Sequence, residues 1–142
     1  VGADRLFLAT FCNAYTREVV GEGENAKERT YLKLHPALAP FKVAVLPLVK
    51  KDGLAEKAQT IANSLKSSFR TVYDDGAAIG KRYTRQDLIG TPFCIAIDYQ
   101  TMEDDTVTIR HRDSMEQERV PVSALKEKIG FAVSMERILD AI

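Results

Sequence analysis

Cysteine and histidine are scarce in this chain, with two of each among 142 residues. Cys12 and Cys94 both sit inside apolar segments, the usage of a reduced, cytosolic protein rather than a disulfide scaffold. His35 and His111 lie far apart, and with no HxxxH or CxxC spacing the chain offers no zinc site or other metal; both histidines read as exposed or interface residues. Ser114 and Ser123 lack a Gly-x-Ser-x-Gly setting, so hydrolase chemistry has no support. Net charge is missing too: twenty Lys and Arg balance twenty Asp and Glu, which excludes a histone-like polycation but leaves room for a local basic patch. No apolar stretch approaches the roughly 18 residues of a membrane-spanning helix, and the opening does not read as a signal peptide. What remains is ordinary for a folded protein. Hydrophobic residues make up 45% and charged residues 28%, enough for one ordered core.

Apolar spacing predicts a helix from residue 4 to about 17, with Asp4 as N-cap and a broad buried face. Residues 21–29 are polar and glycine-rich, a loop or hairpin tip, and Thr30 to Leu34 alternates as a short strand. His35-Pro36-Ala37-Leu38-Ala39-Pro40 forbids regular pairing and marks a boundary, dividing the chain into residues 1–34 and 35–142. Lys42 to Leu48 is a continuous apolar run, the mark of a strand covered on both faces. A helix from Leu54 to Phe69, a strand at Thr71–Tyr73, a helix at Ile79–Ile89 closed by Gly90 and a strand at Phe93–Asp98 follow. Thr106 to Arg112 reads as an edge-like or half-exposed strand with Glu118–Val122 as its antiparallel partner, and Val122 to Ile142 as a final helix capped by Ser123. The pattern implies an α/β fold with a mixed, mostly parallel sheet of about five strands flanked by three helices.

Gly76-Ala77-Ala78-Ile79-Gly80-Lys81 is one residue short of a phosphate loop, and Arg82 replaces the magnesium-binding hydroxyl. The glycines read instead as a tight strand-to-helix turn. Asp74-Asp75 and Asp104-Asp105 fall at strand ends, where aspartate favours turns over cation binding. Basic residues are more pointed. Lys81, Arg82 and Arg85 share a helical face, and Arg110, Arg112 and Arg119 cluster around the hairpin. Such groups suit phosphates and base edges, or an ordinary solvated face.

Read together, these segments resemble a known family. Leu34-His35-Pro36 through Val45-Leu46-Pro47-Leu48 resembles the opening of the anticodon-binding domain in class IIa aminoacyl-tRNA synthetases. Asp74-Asp75, Ile79-Gly80-Lys81-Arg82-Tyr83, Arg85-Gln86-Asp87 and Ile89-Gly90-Thr91-Pro92-Phe93, with Thr106–Arg110 and Arg112–Gln117, look like the glycyl-tRNA synthetase version of the single-polypeptide α2 type. Gly2-Ala3-Asp4-Arg5 is similar to the end of motif 3, whose arginine contacts ATP. The chain departs from the family at Gly76-Ala77-Ala78, where hydroxyl side chains are common, and at His111, where an acidic residue is common.

The resemblance implies a piece of a longer enzyme. Residues 1–34 would be a remnant of the class II catalytic domain, with the motif 3 helix and a connector, and residues 35–142 the anticodon-binding domain. The implied parent charges tRNA with glycine through glycyl-adenylate, using ATP with Mg2+ as substrate. The piece itself would carry no cofactor and no complete catalytic set. Arg5 is the implied ATP contact, and Lys81, Arg82, Arg85, Arg110 and Arg112 the expected anticodon-binding residues, the last two as base readers. Implied partners are glycine-specific tRNA and, for the parent, a second copy, with neither DNA nor membrane, in the cytoplasm. The rival is a stand-alone interaction or RNA-binding module on the same fold, without ligase activity.

Overall fold

The computed structural model describes residues 2–140. In chain order the elements are α1 (Ala3–Ala14), β1 (Tyr15–Val20), β2 (Lys27–Leu32), β3 (Val43–Pro47), α2 (Leu54–Lys66), β4 (Thr71–Tyr73), α3 (Ile79–Ile89), β5 (Phe93–Ile97), α4 (Tyr99–Asp104), β6 (Thr106–His111), β7 (Gln117–Pro121), α5 (Leu125–Val133) and α6 (Glu136–Asp140). β1 and β2 form an antiparallel hairpin, and the other five strands form one sheet in the order β4-β3-β5-β6-β7.

The apolar run at the centre of the sequence dictates the centre of the sheet. Every residue of β3 is buried, and it pairs in parallel with both β4 and β5. The helices between these strands supply the crossovers that parallel pairing requires. β6 runs antiparallel to β5, and β7 antiparallel to β6. The sheet is therefore mixed, as expected, with β6 alone reversed. β6 is the half-exposed strand of the two alternatives, its burial alternating along the strand, and β7 takes the edge.

Side-chain alternation divides the core in two. Val43 and Val45 of β3, Phe93, Ile95 and Ile97 of β5 and Val107 and Ile109 of β6 face α2 and α5, which contribute Leu54, Ala58, Ile61, Ala62, Leu65, Leu125 and Ile129. The opposite face is smaller: Ala44, Leu46 and Cys94 pack with Val72 and with Tyr83 of α3. Polar residues complete it. Arg82, Gln86, Asp87 and Arg110 are all buried, and each has hydrogen-bond partners that offset the cost of its burial.

The loops explain themselves. Lys42 Nζ donates to the carbonyls of Pro36, Ala37 and Ala39 at 3.1, 2.7 and 2.9 Å, tying down a segment whose prolines bar regular pairing. Gly90 ends α3 at φ +81°, and a Cβ there would lie 2.9 Å from Leu34 Cδ1. Only glycine meets both demands. Asp74 Oδ1 accepts from the Gly76 amide at 2.9 Å, the turn use expected of that acidic pair, and among the described residues no group of three acidic, histidine or cysteine side chains could hold a metal ion.

Four local expectations are corrected. The first helix stops at Ala14, and Tyr15–Val20 is a strand, because Thr16, Val19 and Val20 are β-branched and Lys27–Leu32 is there to pair with it. Asp4 makes no capping hydrogen bond; Gly2 holds the N-cap position. The helix does not bury a broad face: Leu6, Phe7 and Leu8 are 63%, 69% and 60% exposed, and only Ala14 is buried. Leu6 and Phe7, with Leu32, Leu34, Leu38, Leu88 and Ile89, line an open apolar cleft of about 710 Å³. The last helix is broken, with Val122–Ala124 forming a 3-10 turn, Ser123 capping nothing, and Ser134 in extended backbone accepting from the Glu136 amide at 3.2 Å. That hydroxyl starts a new helix. Residues 141 and 142, included in the expected helix, lie outside the described residues.

Cys94 is buried and unpaired, whereas Cys12 is exposed. Burial pushes the Cys94 thiol up to about 12, so it carries no thiolate to react at pH 8. A thiol reagent added to the native chain at pH 8 should modify Cys12 alone, with Cys94 reacting only in denaturant. Rapid native labelling of Cys94, read by peptide mass mapping, would contradict the sheet assignment.

Candidate nucleic-acid interface

The five basic side chains expected at the anticodon fall into two groups that the topology separates. α3 runs antiparallel to the strands it covers, so Lys81, Arg82 and Arg85 begin it beside the C-terminal ends of β3 and β4. β6 is reversed, so Arg110 pairs in register with Cys94, near the start of β5, and the Arg112 amide donates to the Pro92 carbonyl at 3.0 Å. The two groups stand at opposite ends of the sheet with α3 between them.

Their surroundings differ as much as their positions. Arg82 is 4% exposed and donates to the carbonyls of Ala77 and Pro47 at 3.1 and 2.5 Å. It stitches the start of α3 to the end of β3. Arg112 is 2% exposed, and its guanidinium donates to the carbonyls of Gly90 and Leu34 at 2.6 and 2.5 Å and to Asp113 at 2.8 Å. It fastens the end of α3 and the segment after the hairpin to the sheet. Both guanidinium groups, including that of Arg112, the expected base reader, are taken up by these bonds. Arg85 is half exposed and donates to Asp74 Oδ2 and the Gly76 carbonyl, both at 2.6 Å. Lys81 is exposed. Arg5 lies exposed on α1. Arg119, also in the hairpin cluster, grips Asp98 with both arms at 2.6 and 2.9 Å; that hydrogen bond is the main reason the Asp98 carboxyl is held below its ordinary range.

Arg110 is the intermediate case. It is 5% exposed, and it binds Asp87 in a fork, Nη1 to Oδ1 at 2.9 Å and Nη2 to Oδ2 at 3.1 Å. Its guanidinium lies 4.8 Å from the centre of the Tyr83 ring. Burial works against its charge, but the bonds to Asp87 prevail and its pKa rises. Asp87 serves a second cation: Arg29 Nε of β2 reaches Oδ2 at 3.4 Å. Arg29 also donates to Glu18 at 2.7 Å and to the Arg112 carbonyl, over the ring of Tyr31 at 4.1 Å. Asp87 and Arg29 were not singled out from the sequence. The available signal was spacing, since Gly80, Tyr83, Thr84 and Asp87 recur at i, i+3, i+4 and i+7 along one side of α3.

That side of α3 is one wall of a cleft of about 660 Å³, whose other walls are the β1–β2 hairpin and the end of the sheet at Arg110, Met115 and Gln117. The volume falls within the roughly 300–1,000 Å³ usual for small-ligand sites. Along α3, beside the cleft, Lys81, Thr84 and Arg85 are exposed. The surface therefore offers exposed basic side chains outside, Lys81 and the Asp74-paired Arg85, and buried, paired charges within, a division suited to holding a phosphate chain while an unpaired base is accommodated.

Replacing Asp87 by Ala leaves two largely buried guanidinium groups without their shared carboxylate. Loss of one partner from a buried pair costs about 3–5 kcal/mol, so urea unfolding of D87A should show a large drop in midpoint. A change under about 1 kcal/mol would show that the network carries little of the fold.

Comparison with known proteins places this geometry. Residues 42–130 match the family described as anticodon binding domain. The chain is 54% identical to glycine–tRNA ligase of Treponema denticola over 129 residues, covering 90% of this chain and 29% of that protein. It is also 54% identical to glycine–tRNA ligase of Clostridium kluyveri over 135 residues, covering 92% and 28%. Among solved structures it resembles prolyl-tRNA synthetase from Cryptosporidium parvum, with TM-score 0.63 and 28% identity over 72% of this chain and 22% of that one. The RNA binding domain of threonyl-tRNA synthetase from the same organism matches with TM-score 0.64 and 25% identity over 70% and 25%. The chain spans somewhat more than a quarter of the length of the curated relatives it matches.

Proposed function

Because the chain belongs to the anticodon-binding domain family and is homologous to glycine–tRNA ligases, we propose that it is the part of such a ligase that holds tRNA by its anticodon loop. The observation that carries this reading is the 54% identity over nine-tenths of the chain to a glycine–tRNA ligase. The parent would join glycine to tRNA through glycyl-adenylate, with ATP and Mg2+ as substrate, in the cytoplasm and as a homodimer. Residues 1–34 would belong to the catalytic body and residues 35–142 to the anticodon-binding unit. The exposed apolar side chains of α1 suit a helix taken from a larger body, and Arg5 on that helix would contact ATP there. No helix among the described residues is long and apolar enough to cross a membrane.

In this reading the basic residues divide their work. Lys81 and Arg85 meet phosphates, because both are exposed, with Arg85 exchanging its bond to Asp74 for one to the phosphate. Arg110 borders the base-holding cleft, with its direction fixed by Asp87. Arg82 and Arg112 act at one remove, by seating the two ends of α3. Energy gained at the anticodon, far from the reacting groups, would orient the acceptor end at the catalytic site and so discriminate among tRNAs.

The test is binding of glycine tRNA transcript to the 142-residue chain over a range of salt concentrations. Lys81→Glu and Arg85→Glu should each weaken binding, and each should make the slope of log K against log salt shallower by about 0.7–0.9 per phosphate lost. Unchanged affinity and slope in both variants would remove α3 from the interface.

A further inference from the structure

We propose that the β1–β2 hairpin is a working part of the RNA site: the cleft between it and α3 receives one unpaired nucleotide of the bound loop, with Lys27 at the phosphate. This rests on the tRNA-binding reading above and extends it to a segment that the domain family does not account for, since residues 15–32 lie outside the matched 42–130.

Three observations carry the proposal. First, the hairpin builds a whole wall of the cleft, contributing Gly21, Asn25, Lys27 and Arg29 against Tyr83 and Arg110. Second, the wall is fixed. Arg29 bonds Asp87 in α3, Glu18 in β1 and the carbonyl of Arg112, so the width of the cleft is set before any ligand arrives, and little ordering remains to oppose binding. The hairpin end is tight as well: a Cβ on Gly21, at φ +94°, would fall 2.8 Å from the Asn25 carbonyl oxygen. Third, the chemistry suits a nucleotide. Lys27, Arg29 and Arg110 outnumber Glu28 and Asp87 among the charges lining the cleft, and Arg17 pairs with Glu28 at 3.3 Å. Tyr83, half-buried in the cleft wall, offers an aromatic edge, and exposed Gln117 offers an amide with both a donor and an acceptor. Lys27 is exposed at the mouth, where its ammonium is free to follow a phosphate.

The experiment compares Lys27→Glu with Lys81→Glu, Arg85→Glu and, as a charge control at the far end of α2, Lys66→Glu, each in the 142-residue chain. Affinity for glycine tRNA transcript is measured, and thermal melting confirms that each exposed variant folds. A transcript with 4-thiouridine at each anticodon-loop position in turn is then cross-linked to the native chain and the peptides are mapped. Lys27→Glu should weaken binding roughly fivefold or more, Lys66→Glu less than twofold, and at least one loop position should cross-link within residues 20–30. If Lys81→Glu and Arg85→Glu weaken binding while Lys27→Glu does not, the hairpin is no part of the site and the tRNA-binding reading stands. Equal losses for Lys27→Glu and Lys66→Glu, with no hairpin cross-link, would reduce the effect to net charge and overturn the proposal. No binding by the native chain would overturn the tRNA-binding reading itself.

Discussion

The carboxylate of Asp87 holds the functional face of this domain together. It is buried beneath α3, where an unpaired charge would cost several kcal/mol, and it is satisfied by the fork of Arg110 from β6 and by Arg29 from β2. Glu18 from β1 takes the other side of Arg29, so two cations meet two carboxylates. The hairpin, α3 and β6, three segments distant in sequence, are fixed by one small network. Arg112 adds a second tie, from β6 to the Gly90 and Leu34 carbonyls. The apolar core on the far face gives the domain its bulk stability, while the polar face gives α3 and the hairpin their relative positions.

That arrangement resolves an apparent conflict between balanced charge and nucleic-acid binding. The arginines behind α3 are neutralised where they stand and serve as framework. In the proposed reading Lys81, and Arg85 once it lets go of Asp74, meet the polyanion, with Lys27 across the cleft. Attraction is thus confined to one helix and its neighbour, as suits a surface that must seat one loop in one orientation rather than cling to any RNA. The rigid wall supplied by the hairpin also joins the two parts of the chain on either side of residue 34.

Much of the fold was legible because burial leaves a pattern. The unbroken apolar run of β3, the helical face of α2 and the glycine closing α3 all gave their elements directly, and the structure agrees with them. The hairpin was only half legible: β1 is mostly exposed, so its β-branched Thr16, Val19 and Val20 were outweighed by the helical apolar spacing that runs on from α1. α4 was missed because six residues make less than two turns; its signal was Asp98 with Thr101, a reciprocal cap. The site was least legible of all. Arg82, Arg85, Arg110 and Arg112 are the same residue type, yet one is exposed at the surface and three are buried, and the difference lies in partners far along the chain. Asp87 is 23 residues from Arg110, and Gly90 is 22 from Arg112. Charge spacing along one segment cannot supply those pairings, whereas the reversal of β6, once the sheet order is known, does.

The central claim is that RNA lies along α3 and enters the cleft beside the hairpin. It is tested most directly by an NMR titration of the 15N-labelled chain with a glycine-tRNA anticodon stem-loop. The account predicts shifts concentrated at Gly80, Lys81, Thr84 and Arg85, at the Arg110 side chain and at residues 25–29, with α2 and α5 unmoved. Shifts centred on α2 and α5, with α3 and the hairpin silent, would contradict it.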